Sequence, residues 1–103
     1  MNELDYRLKF ALPVQDQKRV YIRGIINGIA EVILDVHGLK CTEAKKIINN
    51  LLNIVRQKIK LIVIHGFHGG TAIRDMLPRI ANKHIIDVKN DEYNIGKTYI
   101  LAA

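Results

Sequence analysis

The feature that most constrains the fold is a pair of short apolar runs, each ending in His-Gly, on either side of one amphipathic segment. The first run is VILDVHG, at 32–38, and the second is KLIVIHG, at 60–66. Apolar residues between them recur at helical spacing and predict a helix over 42–57, with Thr42 as its N-cap. A strand, a helix and a strand in this order form a crossover whose two strands are parallel.

The remaining segments predict a small mixed sheet with a second helix. Strands are predicted at 31–37, 60–66, 84–89 and 97–103, and a helix that Pro78 bends or leaves irregular is predicted at 71–82. This order, β-α-β-α-β-β, predicts an α+β two-layer sandwich in which a four-stranded mixed sheet packs against two helices. We assign residues 31–103 to this domain.

Residues 1–30 are predicted to be an N-terminal arm that is partly extended or disordered. Residues 1–18 have a mixed composition, and we expect them to be irregular. The segment 19–25 is β-prone and is predicted to be extended, and Asn27-Gly28 after it is a hairpin signal. This β-prone segment could pair with another chain, so the sequence leaves a monomer and a weak dimer open.

Length and composition predict one soluble domain. The chain has 103 residues, 49% of them hydrophobic, which is enough for a modest core without metal or disulfide. The single cysteine, Cys41, excludes an intramolecular disulfide and favours a reducing compartment. The first ten residues lack a signal-peptide pattern, and no apolar run is long enough to cross a membrane. We therefore expect a cytoplasmic protein with no membrane partner.

The net charge of +6 is concentrated in the middle of the chain. Residues 40–83 carry nine Lys or Arg and two acidic residues, a net charge of +7. A basic segment of this kind is typical of proteins that bind polyanions such as nucleic acids, although a solvated surface would also carry it. Trp is absent, and the six Phe and Tyr residues do not indicate an extended stacking surface for single strands.

The two His-Gly pairs are predicted to meet. Parallel strands end at the same edge of a sheet, and that edge is where open α/β sheets bind ligands. A helix start follows each pair, and helix N-termini favour anions. Glycines at 66, 69 and 70 let the backbone approach a phosphate closely. We therefore predict a site for a phosphate group at this edge.

Asp35, His37 and His65 are the candidate catalytic residues. Asp35 and His37 are two positions apart on a strand and so share one face. A carboxylate beside an imidazole can orient it and support its positive charge, and phosphodiester cleavage needs both a base and an acid. The predicted binding residues are Lys40, Gly38, Gly66, His68, Gly69, Gly70, Thr71 and Arg74.

Other interpretations of these residues remain open. Asp35 could bond loop amides, and His37 and His65 could be turn residues whose polar atoms are satisfied. The same three side chains could hold a divalent ion such as Mg²⁺, but their spacing matches no recognised metal motif, so we predict no protein metal site and keep Mg²⁺ as an alternative cofactor. An enzyme acting on a small phosphate compound would also fit the edge. Phe67 is expected to plug the core, and a surface aromatic residue that touches a base is the alternative.

The segments LDVHGLKCTEA, at 34–44, and IHGFHGGTAIRDML, at 64–77, resemble the motifs of the Smr (small MutS-related) domain. That family carries an L-D-x-H-G-x-x-x-x-E-A motif, matched here by LDVHGLKCTEA at 34–44. Its second motif, H-G-x-G or T-G-x-G before an A-L-R-like helix, resembles IHGFHGGTAIRDML at 64–77. The resemblance covers about 32–102. The chain departs from the family at Phe67-His68, where its loop is one residue longer, and at Pro78, which interrupts a helix that is regular in the family.

The resemblance implies a fold similar to the C-terminal domain of bacterial translation initiation factor three. It also implies DNA or RNA binding, ribosome association in some members, and in many members a DNA-nicking or RNA-cleaving endonuclease. The family's functional positions correspond to Asp35, His37, His65, Gly66 and the Gly69-Gly70 turn. The chain is too short for an ATPase domain, so the resemblance implies a stand-alone member or a fragment. A binding module without catalysis is the alternative.

Overall fold

The computed structural model describes residues 3–67 and 70–103. These residues form three α-helices and five strands. In chain order they are α1 Glu3–Phe10, β1 Val20–Ile26, β2 Ile29–Asp35, α2 Cys41–Leu52, β3 Ile59–Ile64, α3 Ala72–Met76, β4 Ile85–Asn90 and β5 Lys97–Ala102. Two 3-10 turns, Val14–Arg19 and Leu77–Arg79, complete the regular structure of the described residues.

The sheet has the strand order β1-β2-β3-β5-β4. Strands β2 and β3 are parallel, and the other three neighbouring pairs are antiparallel. The predicted α+β class and the mixed sheet are confirmed, but the predicted count of four strands is wrong. The fifth strand is β1, which we had assigned to the arm and which forms a hairpin with β2. The boundary predicted at residue 30 falls inside β2.

The β1–β2 hairpin follows directly from Asn27-Gly28. Both residues have positive φ, 53° and 78°, as the turn of a tight two-residue hairpin requires. Val20, at the start of β1, is 1% exposed, whereas Tyr21 is 51% exposed. Only alternate residues of this edge strand face the core. For this reason the sequence did not indicate that the segment contributes to the core.

The helices pack against one face of the sheet. On that face alternate strand residues such as Val32, Leu61 and Ile100 are fully buried in one apolar cluster. The buried face of α2 joins the same cluster through Ile48 and Leu51. Two-residue periodicity in the strands and helical periodicity in α2 therefore bury their apolar residues in one shared core.

The N-terminal segment contributes to this core. Helix α1 places Leu8 in the cluster with none of its surface exposed, and Leu12, just after the helix, is 5% exposed. Arg7 donates a hydrogen bond to the carbonyl of Ile54 at 2.7 Å. The segment 1–18, predicted to be irregular, thus contains a helix that packs on the sheet.

Both predicted helices are shorter in the structure than in the sequence interpretation. Helix α2 ends at Leu52 instead of residue 57. Asn49 and Asn50 lie near its end and Asn53 directly follows it, and asparagine is a weak helix former. Helix α3 ends at Met76, and the chain continues as a 3-10 turn that contains Pro78. The irregularity predicted at Pro78 is confirmed. No helix among the described residues is long and apolar enough to cross a membrane.

Candidate active site at the His-Gly edge

Strands β2 and β3 bring the two His-Gly pairs together, as predicted. The parallel register pairs Asp35 with Ile64, and the N–H of Val36 donates to the carbonyl of Ile64 at 2.9 Å. The backbones of the two pairs then meet: a Cβ placed on Gly66 would lie 3.5 Å from the Cβ of His37. Both strand ends therefore open onto one edge of the sheet.

Asp35 and His37 form a hydrogen-bonded pair at this edge. The distance between Asp35 Oδ1 and His37 Nδ1 is 2.5 Å, and the same oxygen accepts the backbone N–H of His37 at 3.1 Å. The Asp35 carboxylate therefore holds both the backbone N–H and the imidazole ring of His37. The His37 side chain is 67% exposed. Because Nδ1 faces the carboxylate, Nε2 is the ring atom available to a substrate.

His65 lies in a different environment. The residue is 7% exposed, and both of its ring nitrogens have partners. Nδ1 lies 2.9 Å from the carbonyl oxygen of Gly66, and Nε2 lies 2.9 Å from the hydroxyl oxygen of Thr98. Thr98 is fully buried, and its hydroxyl donates to Asn90 Oδ1 at 2.7 Å. His65 is thus the centre of a buried polar chain that runs from β4 to the second His-Gly turn.

Two proton arrangements satisfy this buried chain. With the Thr98 hydroxyl donating to Asn90, both ring nitrogens of His65 must donate, and the ring is an imidazolium. With the Asn90 amide reversed, Thr98 donates to Nε2, and His65 is neutral with its proton on Nδ1. In both arrangements Nδ1 donates to Gly66, and both ring nitrogens are occupied by protein groups.

The second turn is also held by the β4–β5 loop. The carbonyl of Gly96 accepts the N–H groups of His65 at 2.9 Å and Gly66 at 3.1 Å. Gly66 has φ 69°, a conformation that favours glycine. A Cβ on Gly96 would lie 3.3 Å from the Gly66 Cα and 3.2 Å from the Oδ1 of Asn94. The turn therefore depends on glycine at both contacting positions.

Asp91 holds that loop in place. Its Oδ1 accepts the backbone N–H groups of Tyr93 at 2.8 Å and Asn94 at 3.0 Å. The Tyr99 hydroxyl donates to its other carboxylate oxygen. The hydrogen bond from Tyr99 is the main cause of a lowered pKa at Asp91, and the same bond raises the pKa of Tyr99.

Sequence reasoning missed the residues that support the second turn. Asn90, Gly96 and Thr98 lie about 25 to 33 positions beyond His65, and their contacts depend on the antiparallel register of β3 with β5. That register pairs Val63 with Thr98. Because β3 and β5 lie side by side, Thr98 near the start of β5 is close to His65, which directly follows β3. The strand order, which the sequence did not give, was the missing information.

A cavity of about 540 Å³ opens beside the two turns. Its lining among the described residues is His37, Gly38, Leu39, Lys40, Cys41, His65, Gly66, Phe67, Gly70, Ala72 and Ile73. Four of the predicted binding residues, Gly38, Lys40, Gly66 and Gly70, therefore border one space with His37. Phe67, expected to plug the core, is instead 47% exposed at this cavity.

The other predicted binding residues lie elsewhere. Thr71 precedes α3, but its hydroxyl donates to Asp75 at 2.8 Å and does not cap the helix. Arg74 is not part of the cavity lining, and its buried Nε has no hydrogen-bond partner among the described residues. His68 and Gly69 lie outside the described residues.

Helix α2 begins at the cavity wall. Its first residue is Cys41, and the N-cap is Lys40, two residues before the predicted Thr42. The N–H of Lys40 donates to the Glu43 carboxylate at 3.1 Å. The Cys41 thiol donates to the carbonyl of Ala72 at 3.3 Å, which joins the starts of α2 and α3. The described residues contain no group of three or more His, Cys, Asp or Glu side chains that could hold a metal ion.

Comparison with curated proteins supports the resemblance to Smr domains. The chain is 38% identical over 58 residues to the ribosome rescue factor SmrB of Buchnera aphidicola subsp. Baizongia pistaciae (strain Bp). The match covers 54% of this chain and 32% of the relative, so the chain aligns with about a third of that protein. No protein-family model matches the chain, and no solved structure matches it.

Proposed function

We propose that this chain is an Smr-type domain that binds nucleic acid, in association with the ribosome, and cleaves phosphodiester bonds. The observation that carries the proposal is the pairing of Asp35 with an exposed His37 at the rim of a cavity bordered by glycine turns. Similarity to a ribosome rescue factor supports the same class of partner. We place the Smr-like motifs within 31–103, and the N-terminal residues add α1 and β1 to the same fold. The fold is proposed to be like that of the initiation factor three C-terminal domain, and the protein is placed in the cytoplasm.

In this proposal His37 carries the proton transfers. Its Nε2 takes a proton from the attacking hydroxyl or water, or gives one to the oxygen that leaves phosphorus, while Asp35 holds Nδ1–H and supports the imidazolium. A positioned group of this kind contributes about 10²- to 10⁴-fold to a rate. Asp35 is therefore a positioning residue, and His37 is the catalytic one.

The phosphate is held by groups that border the cavity. Lys40 supplies a positive charge at the start of α2, and the glycine turns at 38, 66 and 70 supply close backbone approach. His65 contributes by fixing the direction of the Gly66 carbonyl, while the Gly66 N–H is held by the carbonyl of Gly96. His68, Gly69, Thr71 and Arg74 remain proposed nucleic-acid contacts of the same basic segment.

Mg²⁺ would need oxygen ligands from the substrate and water as well as from Asp35, since protein sites for this ion often use only one or two carboxylates. The experiment below therefore includes arms with and without the ion.

The second candidate is a nucleic-acid or ribosome-binding module without cleavage. The longer Phe67-His68 loop favours it, because the resembled family has one residue between its glycines at this point. Its expected signature is binding that weakens by orders of magnitude between low and moderate salt, as phosphate contacts by the +7 segment require.

The test is a cleavage assay with a supercoiled plasmid and a labelled structured RNA, each with Mg²⁺ and with EDTA. Three proteins are compared: the natural chain, His37→Ala, and His84→Ala as a matched control. His84 precedes β4 at the opposite end of the sheet, where its Nδ1 lies 3.0 Å from the Ala103 carbonyl. We expect product from the natural chain and the control but not from His37→Ala. Equal product from all three proteins would refute the role of His37, and retarded mobility without product would favour the binding module.

A further inference from the structure

The cavity beside His37 has an apolar part that proton transfer does not use. Leu39, Phe67 and Ile73 line it, together with Ala72 from the start of α3. Phe67 is a large aromatic residue that is 47% exposed, and its ring therefore offers surface at the cavity instead of filling the core. An apolar space of this size next to a few polar groups is typical of a site for an organic group.

The polar part of the same cavity favours an anion. Its described lining includes Lys40 and His37 and contains no Asp or Glu. The Asp35 carboxylate lies behind His37, where it is occupied by the ring and by a backbone N–H. A ligand that fits both parts has an anionic group at the rim and a planar apolar group inside. A nucleotide has this combination.

We propose that the cavity holds one unpaired nucleobase, next to the phosphodiester on which His37 acts. This inference rests on the proposed function, because the phosphate at His37 fixes where the base can lie. Phe67 supplies an aromatic surface for the base, and Leu39 and Ile73 supply the apolar wall. One aromatic ring is enough to stack on one base, so a site of this kind does not need the extended aromatic surface that the sequence lacks.

The site requires the base to be unpaired. A base within a duplex is stacked and paired, so it can enter a cavity between two helix starts only after it leaves the stack. Single strands, loops and bulges already present such bases. We therefore expect cleavage next to unpaired nucleotides and much slower cleavage within duplexes.

The site is expected to accept any base. Side chains read a base edge through free donors or acceptors, and the side chains of the described apolar part of the lining have none. The Cys41 thiol donates to the Ala72 carbonyl, and both ring nitrogens of His65 have partners. Stacking on an aromatic ring does not distinguish bases strongly, because every base has an aromatic face.

The test uses one labelled oligonucleotide that the natural chain cleaves, in four forms. The forms are the single strand, its full duplex, the single strand with an abasic position beside the cleaved bond, and the single strand with an abasic position six nucleotides away. Rates are measured for the natural chain, Phe67→Ala, Phe67→Tyr and Tyr21→Ala. Tyr21 is a matched control, since it is 51% exposed and lies on the edge strand β1.

We expect the adjacent abasic position to slow cleavage by the natural chain about 5- to 100-fold, the range that loss of one stacked base produces. The distant abasic position should have little effect. Phe67→Ala should be slower by a similar factor on the intact strand and should lose no further rate on the adjacent abasic strand. Phe67→Tyr keeps the aromatic ring and should recover most of the rate that Phe67→Ala loses, and Tyr21→Ala should behave like the natural chain.

Two outcomes separate this inference from the proposed function. Cleavage that depends on His37 but is insensitive to the adjacent abasic position, to duplex formation or to Phe67→Ala would overturn the base site and leave the nuclease intact. If no form is cleaved, the nuclease proposal fails, and the dissociation constants of the same four forms are measured by fluorescence anisotropy. A Phe67-dependent loss of affinity at one abasic position would then support the base site, and equal affinities would overturn it.

Discussion

The two His-Gly turns have the same sequence and opposite surroundings. His37 is exposed, has a carboxylate at one ring nitrogen and presents the other nitrogen to the cavity. His65 is buried, and its two ring nitrogens bond Gly66 and Thr98. The same imidazole can transfer protons in the first turn and can fix a backbone in the second. The difference lies in what each neighbouring strand places beside the ring.

The distance of each histidine from its strand explains this difference. Strand β2 lies between β1 and β3, and β3 lies between β2 and β5, so both strands have neighbours on both sides. His65 directly follows β3, where it bonds Thr98 of the neighbouring strand β5. His37 lies two residues beyond the end of β2 and finds a partner in its own strand. The comparison predicts that disruption of the first turn mainly reduces activity and disruption of the second mainly reduces stability.

The largest expected effect is on activity, from Asp35→Asn. The variant replaces the carboxylate that orients His37 Nδ1 and supports its positive charge, so we expect cleavage to slow by about 100-fold or more. Because Asp35 is 38% exposed at its side chain, the free energy of unfolding should fall by only about 1 kcal/mol, for the bond to the His37 N–H. Single-turnover cleavage and urea unfolding measure the two effects.

The pH dependence of cleavage separates the proposed positioning role of Asp35 from a merely structural role. A change in the pH dependence of cleavage in Asp35→Asn would show that the carboxylate acts through the His37 ring. A variant with a lowered rate but the natural pH profile, or with a rate near that of the natural chain, would contradict the positioning role.

The second effect is on stability, from Thr98→Val. Valine keeps the shape but removes the hydroxyl, which leaves His65 Nε2 and Asn90 Oδ1 without that partner in a buried site. We expect the free energy of unfolding to fall by about 1–3 kcal/mol, the cost of leaving a buried polar group unsatisfied. Thr98→Ser, which keeps the hydroxyl, is the control and should stay closer to the natural chain.

Urea unfolding monitored by circular dichroism measures these stabilities, and cleavage is then assayed where all variants are folded. If Thr98→Val is as stable as the natural chain but loses cleavage as Asp35→Asn does, then His65 takes part in the chemistry, and the contrast between the turns is wrong.

The third effect tests the close approach of the β4–β5 loop to the second turn. In Gly96→Ala the new Cβ would meet the Gly66 Cα at 3.3 Å and the Asn94 side chain at 3.2 Å, so one of them must shift. We expect a loss of about 1 kcal/mol or more in the free energy of unfolding, as for other strained insertions into packed sites. Gly24→Ala is the matched control, because its Cβ would have nothing within 4 Å.

Thermal or urea unfolding of the two alanine variants checks this prediction. Equal stabilities for Gly96→Ala and Gly24→Ala would show that the loop gives way easily and does not hold the second turn.

The sequence predicted the first turn far better than the second. Asp35 and His37 are two residues apart, so their shared face follows from strand geometry alone. The meeting of the two His-Gly pairs also followed, because a crossover connection fixes the parallel direction. The burial of His65 did not follow. It depends on β5, which lies more than 30 residues later, and on the place of β3 within the sheet.

The N-terminal part shows a different limit. The hairpin at Asn27-Gly28 is a local signal and was found, but helix α1 was not predicted. Leu8 and Leu12 are buried in the core, and Leu4 and Ala11 pack against it. These four residues have helical spacing, but the segment is short and its composition is mixed, so the pattern was not interpreted as a helix that faces the core.

The smallest expected effect is a pH dependence of stability that belongs to the second turn. Asp91 holds the loop that supplies the Gly96 carbonyl, and its pKa lies below the ordinary value, first because of the Tyr99 hydroxyl and then because of backbone N–H groups. The unfolded chain therefore binds more protons than the folded chain at acid pH. The contribution of Asp91 is fully present above the ordinary pKa of about 3.8 and is lost as the pH falls through the lowered folded value.

Asp91→Asn tests this dependence, with Asp87→Asn, an exposed carboxylate on β4, as the control. At pH 7 the urea midpoint of Asp91→Asn should lie below that of the natural chain, and the two midpoints should converge as the pH falls below about 4. At the alkaline end the raised pKa of Tyr99 predicts the opposite course: its contribution is present below the ordinary value of 10.0 and declines as the pH rises through the raised value. A midpoint difference for Asp91→Asn that stays constant between pH 7 and pH 3 would show that the Asp91 charge does not hold the loop, and the support of the second turn would then rest on Gly96 and Thr98 alone.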